Sequence, residues 1–318
     1  MKVILADRKS AVLARSSLGC LSNVASINLS SGCAHECIYC YGRGYRTYPG
    51  QRVIRLYANT ASKLATELAR KRRLPQTVYF SPSSDLFQPI SESLDLAWEV
   101  LSILLDKQIP VALLTKGVIP ERHMRLLVKH APLVRVQVGL ITLDESTRRI
   151  FEPHAAPSHV RLAQARDLTA AGILTTGRLD PILPGLTDAD DTLRDVCGGF
   201  QKAGVRSLAA GILFLRPAVT RSLRENLTRE PMRERLLAVF DSAERLRIHA
   251  ENSSITALPA SARTAVFNRL KAVAKPLGID VTPCACKNPD IAADCCQIAG
   301  RCSAPASAEG QLGLFDIA

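Results

Sequence analysis

Between residues 24 and 214, short apolar runs rich in β-branched residues alternate with longer stretches whose apolar positions recur at i, i+3 and i+4. The first pattern marks strands and the second amphipathic helices. It predicts strands over 24–29, 77–81, 110–115, 134–142, 175–179 and 207–214, with helices over 61–72, 94–107, 121–130, 160–171 and 192–203. Such alternation implies parallel strands joined by helical crossovers, in either an open doubly wound sheet or a barrel. Gly42, Gly44 and Gly50 lack dinucleotide-binding spacing and follow a cysteine cluster rather than a strand, so the phosphate-loop argument for a doubly wound sheet is missing. Six units fall short of the eight of a closed barrel. The expected fold is therefore α/β, a partial (β/α)6 TIM-type barrel with a C-terminal helical and Cys-rich extension, and its reactive groups belong at the strand ends.

Beyond Arg216 the pattern changes. An Arg/Glu-laced segment over 221–247 reads as helix, solvent-facing on one side, and a second helix is expected over 260–274. The chain divides into a barrel (1–217), a helical extension (218–280), a Cys-rich segment (281–302) and a flexible tail (303–318).

Composition narrows the class. Of the 318 residues, 47% are hydrophobic and 22% charged, which excludes collagen-like and disordered chains. The apolar stretch 94–105 carries Asp95 and Glu99, too much charge for a membrane span, and residues 1–14 place Asp7, Arg8 and Lys9 where a secretory signal needs an apolar core. The expectation is a cytoplasmic protein with no membrane partner. Two features stand out: a net charge of +12, and ten cysteines of which eight fall in two short windows. In a reducing compartment dense thiols point to metal rather than disulfides.

The first window is Cys33-x3-Cys37-x2-Cys40, directly after the first predicted strand, on a polar loop that opens with Gly32. Three thiolates so spaced can wrap one compact metal centre, and on a four-iron cluster they leave one iron open to a small molecule. A structural zinc ion wants a fourth ligand; His35 is at hand, but the spacing is poor for a zinc finger. The loop resembles the radical S-adenosylmethionine (SAM) superfamily, whose hallmark is C-x3-C-x-aromatic-C after the first strand of a partial (β/α)6 barrel, with Tyr39 in the aromatic place. The resemblance implies that Cys33, Cys37 and Cys40 hold a [4Fe-4S] cluster whose free iron binds SAM. An electron from a donor such as flavodoxin or ferredoxin then cleaves SAM to methionine and a 5′-deoxyadenosyl radical.

Further segments are similar to the spore photoproduct lyase branch: Cys40 with Tyr41, 81–89 (SPSSDLFQP), 115–117 (TKG) and 178–185 (RLDPILPG). This resemblance implies Ser83, Ser84 and Asp85 near the SAM amino group, Tyr39 and Tyr41 against adenine or ribose, and Lys116 and Arg178 on the SAM carboxylate or a substrate phosphate. An ammonium wants carboxylate and hydroxyl acceptors, and a carboxylate wants Arg or Lys. Asp180, before Pro181, also suits a turn. One departure matters. The lyase places a hydrogen-donating cysteine just before its Ser-Asp pair, and here Pro82 stands there, so a thiol would have to come from Cys20, Cys197 or the C-terminal cysteines. Cys197 lies in a helical pattern and reads as core. No catalytic residue is assigned.

The second window holds Cys284, Cys286, Cys295, Cys296 and Cys302. Four of them suit an auxiliary iron–sulfur cluster or a zinc ion; a redox dithiol or metal-free cysteines remain alternatives. Near the end, Gln311, Leu312, Gly313, Leu314 and Phe315 resemble the pentapeptide by which bacterial repair proteins dock on the DNA sliding clamp, although a tail folded onto the domain is the plainer use of those side chains. The basic balance, with Arg70, Lys71, Arg72 and Arg73 in a row, favours polyanions or reflects Arg on solvated faces. Three readings follow: a radical SAM enzyme of the lyase type acting on a damaged or modified DNA base, a radical SAM enzyme acting on a small metabolite or peptide, and a non-catalytic iron–sulfur regulator of nucleic acid.

Overall fold

The computed structural model describes residues 1–15, 21, 24–248 and 254–292. Cys20, Cys295, Cys296, Cys302 and the tail residues Gln311, Leu312, Leu314 and Phe315 lie outside the described residues.

In chain order the elements are β1 (Lys2–Ala6), β2 (Ala14–Arg15), β3 (Ala25–Ile27), β4 (Ser30–Ser31), β5 (Val53–Tyr57), α1 (Thr60–Arg70), β6 (Val78–Phe80), α2 (Ser91–Asp106), β7 (Val111–Thr115), α3 (Glu121–Lys129), β8 (Val134–Leu140), α4 (Glu145–Phe151), α5 (Ser158–Ala170), β9 (Leu174–Ile182), α6 (Asp190–Lys202) and β10 (Ser207–Ile212). Then come α7 (Pro217–Asn226), α8 (Glu230–Ala238), β11 (Glu244–Arg247), β12 (Ser254–Ala257), α9 (Ala260–Ala274) and β13 (Asp280–Pro283). The strands β3, β6, β7, β8, β9 and β10 pair in parallel in that order, each reached from the last through a crossover that carries a helix. This is the expected partial (β/α)6 barrel. It is not closed: β13 adds in parallel to β10 at one edge and β2 adds antiparallel to β3 at the other.

Burial on both faces explains why these strands read as continuous apolar runs. In β7 every residue but Leu114 is buried, and in β8 only Arg135 is not. The helices cover the sheet with one face, as α2 does with Leu96, Ala97, Val100, Leu101, Leu104 and Leu105. Asp144 caps α4, its carboxylate accepting from the Ser146 and Thr147 amides.

The segment expected as one helix over 221–247 is the end of α7, then α8, then β11, which pairs antiparallel with β12. The cause is Pro231 in the first turn of α8. Proline removes an amide donor and clashes with the carbonyl four residues back, so a helix can begin there but cannot run through it. A separate sheet, β1-β5-β4, also lies outside the sequence expectation and packs beside the cysteine loop. Among the described residues no helix is long and apolar enough to cross a membrane.

Candidate active site

The loop from Gly32 to Cys40 leaves β4 and reaches Asp85, after β6, through His35, and Lys116, after β7, through Tyr39. Gly32 is required there: its φ is +82°, and a Cβ would lie 2.4 Å from the Val53 carbonyl oxygen of β5. The three thiols of this loop line a cavity of about 200 Å³ at the strand ends. Tyr39, Tyr41, Ser83, Ser84, Asp85, Lys116 and Arg178, all singled out in the sequence, line the same cavity. So do Cys284 and Cys286, which follow β13.

A buried ion network fastens the loop to the barrel. Glu152, at the end of α4, is wholly buried; it accepts from the Tyr39 hydroxyl and forms ion pairs with Arg161 Nη2 at 2.6 Å and Lys116 Nζ at 3.2 Å. Lys116 also donates to the Tyr39 oxygen at 2.6 Å. Burial pushes the Glu152 carboxyl up, but Arg161, Lys116 and the Tyr39 hydroxyl outweigh it and hold it down to about 2. Burial likewise pulls the Lys116 ammonium down, and neighbouring Glu152 more than restores it. Gly139 makes room for this lysine, since a Cβ there would lie 2.9 Å from its methylenes. The Ile38 amide donates to the Phe151 carbonyl, so α4 grips the loop through backbone as well.

Asp85 stands at the end of β6, just past Ser81, whose φ of +57° turns the chain sharply. Its Oδ1 accepts from the Phe87 amide and the Thr115 hydroxyl, its Oδ2 from the Lys116 amide, and His35 Nε2 lies 3.2 Å from Oδ2. A carboxylate has about four acceptor positions, and three donors hydrogen-bond to this one. Burial raises this carboxyl, yet His35 and the two amides lower it further than burial lifts it. His35 is thus turned to Asp85 rather than to the thiols. Ser83 donates to Asn28 Oδ1 at 2.8 Å, while the buried hydroxyls of Ser81 and Ser84 have no protein partner. Tyr41 donates to the Pro82 carbonyl.

At the end of β9, Arg178 pairs with Asp180 at 2.7 Å and reaches Gln137 and Cys284. Lys287 donates to both Asp180 oxygens at 2.7 Å. Burial pushes the Asp180 carboxyl up, but Lys287 and Arg178 hold it well below the usual range. Asp180 therefore anchors an ion triad, beyond the turn role its place before Pro181 suggests. The sequence reading missed Glu152, Arg161, Asn28 and Lys287. Lys287 adjoins a singled-out cysteine; Glu152 meets Tyr39 across 113 positions and carries no local signal. Cys197 is core: it is wholly buried in α6, where burial pushes its thiol up to about 11.

Residues 27–196 match the family model of the radical SAM superfamily, and the chain belongs to that superfamily. Relatives include uncharacterised proteins of Mycobacterium tuberculosis and Mycobacterium bovis, 29% identical over 222 residues, which is 64% of this chain and 65% of theirs. The match therefore spans just under two thirds of those relatives. A protein of Pseudomonas phage M6, a radical SAM Nα-GlyT isomerase, is 26% identical over 160 residues, covering 50% of this chain and 33% of its own. Spore photoproduct lyase, solved with bound AdoMet and dinucleoside spore photoproduct, superposes with a TM-score of 0.66 at 13% identity, over 88% of this chain and 81% of that one.

Membership implies a [4Fe-4S] cluster and SAM, and the residues present fit them. Burial pushes the Cys33 thiol well up and the Cys37 thiol up to about 12, and a bound cation's charge would favour their thiolate forms. Gly42 leaves open the space at Cys40, since a Cβ there would lie 3.3 Å from Sγ. The unpartnered hydroxyls of Ser81 and Ser84 are polar groups awaiting a ligand.

Proposed function

We propose that Cys33, Cys37 and Cys40 hold a [4Fe-4S] cluster, that SAM occupies the cavity beside it, and that the enzyme acts on a damaged or modified base in DNA. The observation that carries this reading is that the three loop thiols and the polar strand-end residues Ser84, Asp85, Lys116 and Arg178 line one cavity. When bound, the cluster and SAM supply an electron and a 5′-deoxyadenosyl radical.

The chain's own residues bind and orient. The unpartnered Ser81 and Ser84 hydroxyls, beside the Asp85 carboxylate, are acceptors for the SAM ammonium. Asp85 orders the wall through the Thr115 hydroxyl and the Lys116 amide. Arg178 offers the SAM carboxylate a guanidinium oriented by Asp180, which Lys287 holds in turn. Leu114, Ile212, Leu213 and Phe214 exclude water from the cavity.

Two points support a nucleic-acid substrate. Spore photoproduct lyase, the structural neighbour, is solved with a dinucleoside, and the net charge is +12. A base within duplex must leave the stack to reach such a cavity. Cys284 and Cys286 bring thiols to the cavity where Pro82 offers none; with two of Cys295, Cys296 and Cys302 they would form an auxiliary site.

The test is anaerobic reconstitution with iron counted per chain, followed by assay of 5′-deoxyadenosine after dithionite, with and without duplex carrying photodamage. Loss of deoxyadenosine in Cys37→Ala and stimulation by the damaged duplex are expected. A wild-type chain that takes up iron yet leaves SAM intact would overturn the reading. Cys284→Ala/Cys286→Ala should lower the iron count by about four if the auxiliary site holds a cluster.

A further inference from the structure

The loop thiols face two cavities. Besides the large one, Cys33, Cys37 and Cys40 all line a smaller cavity of about 50 Å³ on the side of the loop that faces β4 and β5, with Gly32, Arg52 and Val53 in its wall. It has a quarter of the volume of the main cavity. A nucleotide or SAM does not fit there, yet it brings the outside close to the thiols.

The segment that follows Cys37 in the chain is strongly one-signed. From residue 37 to residue 66 there is no carboxylate, and Arg43, Arg46, Arg52, Arg55 and Lys63 lie within those positions. Arg46, Arg52 and Arg55 are exposed. Arg55 pairs in register with Ser31, which itself lines the small cavity. Arg43 is used internally, donating to the Cys37 and Glu36 carbonyls that shape the loop. Glu36 is the acidic group in the cavity wall, and its carboxylate is occupied by the Arg52 amide and by His154 at 3.6 Å.

Resting on the cluster reading above, we infer that this Arg46–Arg52–Arg55 face is the docking surface for an acidic one-electron carrier protein. Two independent features meet here. Electron tunnelling falls off exponentially with distance, so a carrier must approach close to the thiols, and the small cavity opens an approach to all three of them. A run of cations without carboxylates then steers and orients an acidic partner. The substrate, which needs volume, enters by the large cavity, and the two partners need not compete for one opening.

Flavodoxin serves as the probe. Binding of oxidised flavodoxin to the reconstituted full chain is titrated at rising salt, and reduction of the cluster by reduced flavodoxin is followed by stopped flow beside reduction by dithionite. Arg46→Glu/Arg52→Glu/Arg55→Glu should weaken flavodoxin binding and slow its electron transfer by about tenfold or more at low salt, while dithionite reduces the variant at the wild-type rate. Arg46→Gln/Arg52→Gln/Arg55→Gln should fall between, with a shallower salt dependence. The docking surface is overturned if the Glu variant binds flavodoxin and takes its electrons as the wild type does. It is also overturned if the variant loses duplex DNA binding and keeps flavodoxin, since the face is then a nucleic-acid surface. Failure of the cluster reading looks different: the wild-type chain then shows no visible absorbance that dithionite bleaches, and both proposals fall together.

Discussion

Glu152 is a buried carboxylate between two cations, and the cysteine loop depends on it through Tyr39. Removing one partner of such a group leaves the others charged and dry, which costs far more than the pair's net worth. Glu152→Gln keeps the shape and deletes the charge, leaving Arg161, itself wholly buried, facing a neutral amide. The expected loss of stability is about 3–5 kcal/mol, read as a lower urea midpoint with an unchanged slope; an unaltered midpoint would remove the network from the account. The same group sets an acid limb. Its carboxyl sits at about 2 in the folded chain against 4.5 ordinarily, so as pH falls the unfolded state takes up the proton first. The stabilisation is complete above about pH 4.5, shrinks as pH falls towards about 2, and is gone below that. Urea midpoints between pH 5 and pH 3 should therefore fall more steeply for the wild type than for Glu152→Gln.

Among the elements, the six sheet strands and five crossover helices are legible in sequence because each is buried against its chain neighbours, so local periodicity reports the packing. β1, β5 and β13 are not. Each is defined by a partner distant in sequence: Val53 pairs with Lys2, and Asp280 with Ser207. Of the site, the loop thiols and strand-end polar residues are legible from spacing, whereas Glu152, Arg161 and Lys287 are assembled only by tertiary contact. β13 matters most because it delivers Cys284 and Cys286 to the cavity. The residues after it are held twice, by Lys287 on Asp180 and by Arg263, whose guanidinium bonds Asn288 and Asp290. Lys287→Met deletes the first anchor. Hydrogen bonds to charged groups contribute about 1.5–3 kcal/mol, so the amides of Lys287 and Asn288, which bond the Cys284 carbonyl, should exchange with deuterium about ten- to a hundredfold faster. The amides of β10 should keep their protection. Equal exchange in wild type and variant would show that Arg263 alone holds the segment.

For the whole molecule, a net charge of +12 describes affinity for polyanions only where the cations line a path. α7 exposes Arg221 and Arg224 one turn apart, and with Arg216 they line a surface groove. Arg216 lines the main cavity as well, so the groove, which also holds Glu225, adjoins the proposed site at that residue. Phosphates along it would position a strand without reading its sequence, leaving discrimination to the cavity. Counterion release makes this measurable. Each neutralised phosphate contributes about −0.9 to the slope of log binding constant against log salt on duplex DNA. Arg221→Ala/Arg224→Ala should therefore make the slope shallower by about 2 and weaken damaged and undamaged duplex alike, so that the ratio of their affinities holds. Fluorescence anisotropy from 50 to 200 mM salt measures both quantities. If the wild-type slope is flat, the positive charge is not a nucleic-acid footprint; if the slope is steep but unmoved by the double variant, DNA lies elsewhere on the surface. A variant that loses preference for damage while its slope stays constant would place these arginines in discrimination rather than in backbone tracking.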